Sequence, residues 1–481
     1  MLDPLKMTIL HTNDMHGRLE AMSRLSAYAS KLRADLQALG HQVFLVDAGD
    51  AADRRLGFCG VTKGAAFTPL LNAMRYNVQS LGNALSMTYG PQALTAYTAR
   101  AAFPVLAANV RGADGDLLPG LQDQVLLPLG DGHKLGVIGL TVADFAESYT
   151  LFGLRLLDAI PLVRDAAAAL RQQGADVIVV LSHMGVKKDR ELAAACPDVD
   201  VIIGGHSHTT LPQGEEINGV LIAQTGEYAV HLGRVDLTLD PVTGQVLTRT
   251  AALLPVPEDI EQDPAVQAAI AAAEIEAQTY RARPLGVLQA GFDLDHFAEC
   301  GMGNWAADVL RERMQADAAI VSSGLFHARL EAGVVTLGTL DAACFTTANP
   351  QLSLVSGQQL WEALERGLDS EINEIHHHSY RGTPVGIPQI SGMQVWFDPE
   401  AATGQRIRRV SLGSQPLTLE TVYRLAHTDA ETQEDVGYLR LNADQTIQTE
   451  VPTILREALE DDLRRRSPLP APDFGRWLRA D

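Results

Sequence analysis

Ile9-Leu10-His11-Thr12-Asn13-Asp14-Met15-His16-Gly17-Arg18 decides the fold. The run Met7–Leu10 reads as a short strand that stops at a polar turn and then delivers Asp14 and His16, two positions apart. A strand end carrying Asp-x-His can present a carboxylate oxygen and an imidazole nitrogen to one metal ion. Alone the pattern is weak. Its weight comes from four later strands, each ending in a potential ligand.

Gln42–Val46 is the first of these, and it runs into Asp47-Ala48-Gly49-Asp50, where Gly49 allows the tight turn that lets Asp50 project. Asn77–Leu81 leads to Gly82-Asn83. Val177–Leu181 is a continuous apolar strand ending in Ser182-His183, and Asp200–Ile203 ends in Gly204-Gly205-His206-Ser207-His208. Helical patterns at 65–76, 91–100 and 160–173 alternate with these strands and with others at 105–108 and 135–140. A hairpin with its turn at 240–244 closes the region. That alternation predicts a layered α/β domain over residues 1–255. Open α/β sheets gather ligands beyond the carboxyl ends of their strands, where Asp14, His16, Asp50, Asn83, His183, His206 and His208 are expected to meet. Two cations need roughly this set. Asp50 would bridge, with Asp14, His16 and His208 on one ion and Asn83, His183 and His206 on the other.

Composition limits the alternatives. A chain of 481 residues exceeds one ordinary core, and 46% hydrophobic with 20% charged residues fits globular domains. A formal net charge of −21 argues against nucleic-acid polymers and anionic membranes as partners. A small phosphate ester remains compatible if cations reverse the local field. The cysteines Cys59, Cys196, Cys300 and Cys344 are scattered and read as buried thiols of a reducing compartment. With no secretory pattern or apolar span, a cytoplasmic location is expected, or a periplasmic or secreted one if an upstream signal was removed.

These motifs resemble the 5′-nucleotidase family of calcineurin-like metallophosphoesterases. Leu10–Arg18, Asp47–Asp50, Gly82-Asn83 and Gly204–Ser207 match its signature segments. The resemblance implies a four-layer α/β/β/α metallophosphoesterase domain, a linker helix at 256–284, and a smaller α/β substrate-binding domain over 285–481. It also implies the ligand set just built, with Asp14, Asp50 and Asn83 in catalytic roles. Two divalent ions are expected, zinc or manganese first and iron or cobalt next. The family usually follows Gly-Asn with a histidine that assists the leaving group or stabilises the transition state. Here Ala84 follows, and Arg18, Arg54 and Tyr89 are candidates to replace it by proximity in sequence.

In the second half the helical pattern 259–280 suits a connecting element, and by resemblance it is where a hinge is expected. Substrate contacts fall on four positions by resemblance. His327 takes the place of the family's substrate arginine, with Arg329 two residues on. Ile387 stands where an aromatic often forms one wall of the base clamp, and Tyr438 aligns with the other wall. Tyr438 reads equally well as a core aromatic. His376-His377-His378 reads as a solvated loop. The expected activity is metal-activated hydroxide attack at phosphorus on nucleoside 5′-monophosphates, with 2′,3′-cyclic nucleotides next. The rivals are a phosphoesterase with little nucleotide preference and a non-catalytic ligand-binding protein. Oligomeric state is not legible.

Overall fold

A computed structural model describes residues 3–142, 144 and 146–480. The chain divides into two compact units, Met1–Gln278 and Thr279–Asp481.

The first unit stacks two sheets between helices, the four-layer arrangement expected. One sheet has the order Val246–Pro255, His231–Leu239, Leu5–Thr12, Gln42–Asp47, Val78–Ser80, Val105–Leu106, Leu121–Gln122. The other runs Glu215–Ile217, Val220–Ala223, Val201–Gly204, Val177–Ser182, His133–Leu140, Gln124–Gly130. Side chains on successive residues of a strand point to opposite faces, so a strand buried on both sides needs apolar residues at every position. Ile9 joins the core between the sheets, while its neighbour Leu10 faces the helical layer containing Met22, Leu25 and Leu70. Val179 and Leu181 pack between the sheets; Ile178 and Val180 meet Val163, Leu170 and Leu192 of the opposite helical layer. A polar substitution in these strands would therefore leave an unpaired group in one core or the other.

Parallel pairing brings the strand ends level. Thr12 lies opposite Asp47, and Ser182 lies between Leu140 and Gly204. The loops after these strands all leave the same edge, which is what gathers the polar residues there.

The helix Pro264–Arg281 buries Val266, Ala273 and Ala277 in the core formed by Met22, Leu25 and Phe67. Arg100 forks onto Glu276 at 2.9 and 3.0 Å, and Asp263 accepts from Ser26 at 2.7 Å. Most of this helix is thus fixed to the first unit.

The second unit is built on a sheet in the order Pro388–Ser391, Ala318–Ser322, Val422–Thr428, Pro350–Ser356, Ile447–Thr449. The helix Gly301–Arg313 is almost wholly buried, and Trp305 anchors it by donating to Asp462 at 2.8 Å. Among the described residues, all four cysteines are buried and free, and no helix is long and apolar enough to cross a membrane.

Candidate metal centre

The loop after Leu5–Thr12 is tied to the loop after Gln42–Asp47 by main-chain bonds. Asp14 N–H donates to Gly49 O at 2.9 Å, His16 N–H to Asp50 O at 2.9 Å, and Gly17 N–H to Ala51 O at 2.8 Å. This extends the parallel pairing past the sheet edge and holds Asp14 and His16 beside Asp50.

Backbone conformation then aims the side chains. Asp14 (φ 49°), His16 (45°), Asp50 (54°), His206 (70°) and His208 (52°) all sit in the left-handed region. For residues with a Cβ this conformation costs about 1 kcal/mol or more each and persists only where surroundings enforce it. Five strained residues among the seven expected ligands is the backbone signature of a built site.

The geometry divides the side chains into gripped atoms and facing atoms. Asp14 Oδ2 accepts from His206 N–H and from the Asn13 amide, both at 2.8 Å, whereas the buried Asp14 Oδ1 has no hydrogen bond. Asp50 Oδ1 accepts from Ala84 N–H at 2.8 Å. His183 Nδ1 lies 2.7 Å from Ala48 O, which makes it the protonated nitrogen and leaves Nε2 facing Asp50 Oδ2 at 3.3 Å and Asp14 Oδ1 at 3.9 Å. His208 Nδ1 lies 2.7 Å from Glu227 Oε2, and its Nε2 approaches Asp14 Oδ1 at 3.5 Å and His16 Nε2 at 3.2 Å. Asn83 opens the helix Asn83–Tyr89 with its Oδ1 buried and unpaired, and the His206 ring is 5.3 Å from that of His183. Metal-binding imidazoles commonly donate their other nitrogen to an acceptor in this way.

Asp14, His16 and His208 offer one set of donor atoms within 4.8 Å of one another, and Asp14, Asp50 and His183 a second. Buried oxygens and nitrogens without partners are costly unless a ligand satisfies them. Asp14 Oδ1, Asn83 Oδ1 and His183 Nε2 are three such atoms. A mixed O/N donor set of this kind fits divalent zinc, manganese, iron or cobalt.

Electrostatics agree. Burial opposes charge on His183, but Asp50 and Asp14 outweigh it and lift the pKa to about 9. Burial likewise pushes Asp50 up, and the pull of His183 brings it below its ordinary value. Behind the site burial raises Asp47 to about 7, despite bonds from Gln79, Thr12 and Gly49. Glycines make the close packing possible. A Cβ on Gly49 would stand 2.7 Å from His183 Nδ1, one on Gly205 would stand 2.8 Å from both His183 Nδ1 and Ala48 O, and one on Gly82 would fall on Asp50 Oδ1.

Three supporting residues escaped the sequence reading. Asn13 clamps Asp14, while Glu227 and Tyr228 follow the parallel strand Val220–Ala223 and back His208. The signal was available: Gln224-Thr225-Gly226-Glu227-Tyr228 is one more polar strand end in the same sheet.

In the second unit the substrate positions look different. Tyr438 is fully buried and its hydroxyl donates to Gly386 O, with Val385 O at 3.3 Å. Of the two readings of Tyr438, a stacking wall and a core aromatic, its burial matches the second. Ile387 is also buried. His327 is half-buried, with Nε2 3.3 Å from Tyr380 O, and Arg329 is exposed and paired with Glu331 at 2.7 Å. His376 and His377 bond locally within their loop, to Gly382 O and to Ser379.

Comparison with known proteins follows the same two-part division. Residues 7–210 match the calcineurin-like phosphoesterase model and residues 280–440 the 5′-nucleotidase C-terminal domain model. An uncharacterised metallophosphoesterase of Bacillus subtilis is 26% identical over 89% of this chain and 92% of its own. A snake venom 5′-nucleotidase of Naja atra is also 26% identical, over 92% of each chain. The solved NAD nucleotidase of Haemophilus influenzae shares the fold over the whole of both chains, with a TM-score of 0.62 at 17% identity.

Proposed function

Since the chain belongs to the 5′-nucleotidase family of metallophosphoesterases and is a metal-dependent phosphoester hydrolase, we propose that it hydrolyses nucleoside 5′-monophosphates using two divalent cations. The observation that carries this reading is that Asp14 Oδ1, Asn83 Oδ1 and His183 Nε2 are buried without a hydrogen bond, in loops that follow strands of the two stacked sheets. Asp14, His16 and His208 would hold one cation, Asn83, His183 and His206 the other, and Asp50 would bridge. When bound, the cations supply Lewis-acid charge for the phosphoryl oxygens and lower the pKa of a water nucleophile. The chain's own part is to fix the donors. Ala48 O and Glu227 set the histidine tautomers, and the His206 and Ala84 amides hold the carboxylates at Asp14 and Asp50.

A second reading is favoured by the second unit. With Tyr438 and Ile387 buried and Ala84 in place of the auxiliary histidine, base recognition is weak and the enzyme accepts phosphoesters broadly, including 2′,3′-cyclic nucleotides. His327 and Arg329 are then the remaining candidate substrate contacts. Losing one base–aromatic stack costs about 1–3 kcal/mol, enough to remove most nucleoside preference. Turnover of AMP, 2′,3′-cyclic AMP and p-nitrophenyl phosphate, with Mn²⁺ or Zn²⁺ and with elemental analysis, tests both. A kcat/KM highest for AMP supports the nucleotidase, and equal values support the broad enzyme. Asp50→Asn should lose bound metal and activity together. Loss of neither would overturn the metal centre.

A further inference from the structure

We infer that Arg18 is a substrate-contacting residue, supplying beside the metal centre the charge that Ala84 does not. The inference rests on the phosphoester-hydrolase reading of the site.

Arg18 is the residue preceding the helix Leu19–Ala38, at its positive end, where a cation is disfavoured and an acidic or hydroxyl side chain would be stabilising. It makes no capping bond. The one acidic residue in the first turn, Glu20, is engaged by Arg24 at 2.5 Å instead. Among the described residues no carboxylate lies within ion-pair distance of Arg18, and its side chain is exposed. Neither an ion pair nor capping accounts for a guanidinium here.

Its one side-chain contact points toward the site. The guanidinium carbon stands 4.2 Å over the ring of Tyr228. That ring is itself 6.0 Å from the ring of His16 and 6.4 Å from that of His208. Tyr228 is fixed by its own strained backbone (φ 62°) and by donating its N–H to Asp14 O at 2.9 Å. A cation held on an aromatic face keeps its in-plane N–H donors available. Arg18 therefore presents a fork of unused donors one ring away from the metal-facing histidines.

A guanidinium stays protonated at any working pH, so it cannot serve as a general acid. It can neutralise charge on the ester as the P–O bond breaks. The leaving oxygen keeps the bond's electron pair, bears its charge against Arg18, and takes its proton from solvent. Such contacts gain strength where charge develops, which is in the transition state.

The test compares wild type, Arg18→Gln, Arg18→Lys and Arg18→Ala in the full-length, metal-loaded chain, on AMP and on p-nitrophenyl phosphate. Metal content and thermal midpoint are measured on each. We expect Arg18→Gln and Arg18→Ala to lower kcat/KM for AMP by about 10–10²-fold with metal content unchanged. The loss should be smaller for p-nitrophenyl phosphate, whose leaving group needs little help, and Arg18→Lys should recover part of it. Variants within twofold of wild type, or losses equal for both substrates, would overturn the inference. So would losses that track missing metal or a lowered midpoint. A wild type inactive on every phosphoester would instead sink the reading of the site itself.

Discussion

The strand-end loops of the first unit and the segment around Ser322, Val385 and Tyr438 in the second differ in how far the chain satisfies its own polar groups. Around Asp14, Asp50 and His183 the structure leaves buried polar atoms unpaired and holds the backbone in unfavourable torsions. Around Ser322, Val385 and Tyr438 polar groups find partners within the chain: Ser322 Oγ donates to Val385 O, and Ser322 N–H donates to Glu431 at 2.7 Å. The first region leaves carboxylate, amide and imidazole atoms facing one another without partners, while the second satisfies most of its polar groups within the chain and leaves the Tyr380 hydroxyl and His327 Nδ1 unpaired. The difference teaches that the candidate cation ligands are gathered at strand ends whose polar atoms the chain does not satisfy, whereas the second region turns most of its polar groups inward.

The comparison can be broken most directly at Gly82. Alanine there would force Asp50 away from the site, at a cost of about 1–3 kcal/mol of overpacking. The expected outcome is loss of metal and activity in a chain that still folds, read by elemental analysis and circular dichroism. Next, Glu227→Gln should weaken metal affinity about 10–100-fold, because His208 loses the carboxylate that orients it. Competition with a chelator measures this, and unchanged affinity would mean that Glu227 is merely a surface partner.

In the second unit the expected effects are on stability. His427 is buried, with Nε2 2.9 Å from Ser353 Oγ and Nδ1 2.8 Å from Thr428 O, and burial lowers its pKa to about 4. The unfolded chain protonates near the ordinary histidine value of 6.5, so it binds more protons than the folded form between these limits. Stability present above about pH 6.5 is therefore lost as pH falls towards 4, by an amount of order 3 kcal/mol. His427→Gln should flatten that acid limb in denaturant titrations at pH 7, 5.5 and 4.5. The smallest effect is expected from Tyr438→Phe, which removes the hydroxyl that donates to Gly386 O. It should destabilise by about 1–3 kcal/mol and leave KM for AMP unchanged. A raised KM would return Tyr438 to the substrate site.

How much was legible follows the same divide. The four-layer fold could be read because Ile9-Leu10 and Val177–Leu181 are apolar at consecutive positions, which only a strand covered on both faces requires. That Asp14, His16, Asp50, His183 and His208 come together could be read because few side chains bind cations, and each stood at a strand end. Tyr438 could not be placed in advance: a tyrosine suits a stacking wall and a core equally, and only the packing of Val385 and Gly386 against it decides. Glu227 was missed because one carboxylate after a glycine looks like any surface turn, and its partner His208 is nineteen positions away.

The left-handed torsions at Asp14, His16, Asp50, His206 and His208 carry one more consequence. With roughly 1 kcal/mol stored at each, the loops around the cation site are expected to open more readily than the buried strands that support them. Their amides should exchange with deuterium early in the chelated protein. They should slow sharply once cations load, since a ligand that binds only the closed loops holds them shut.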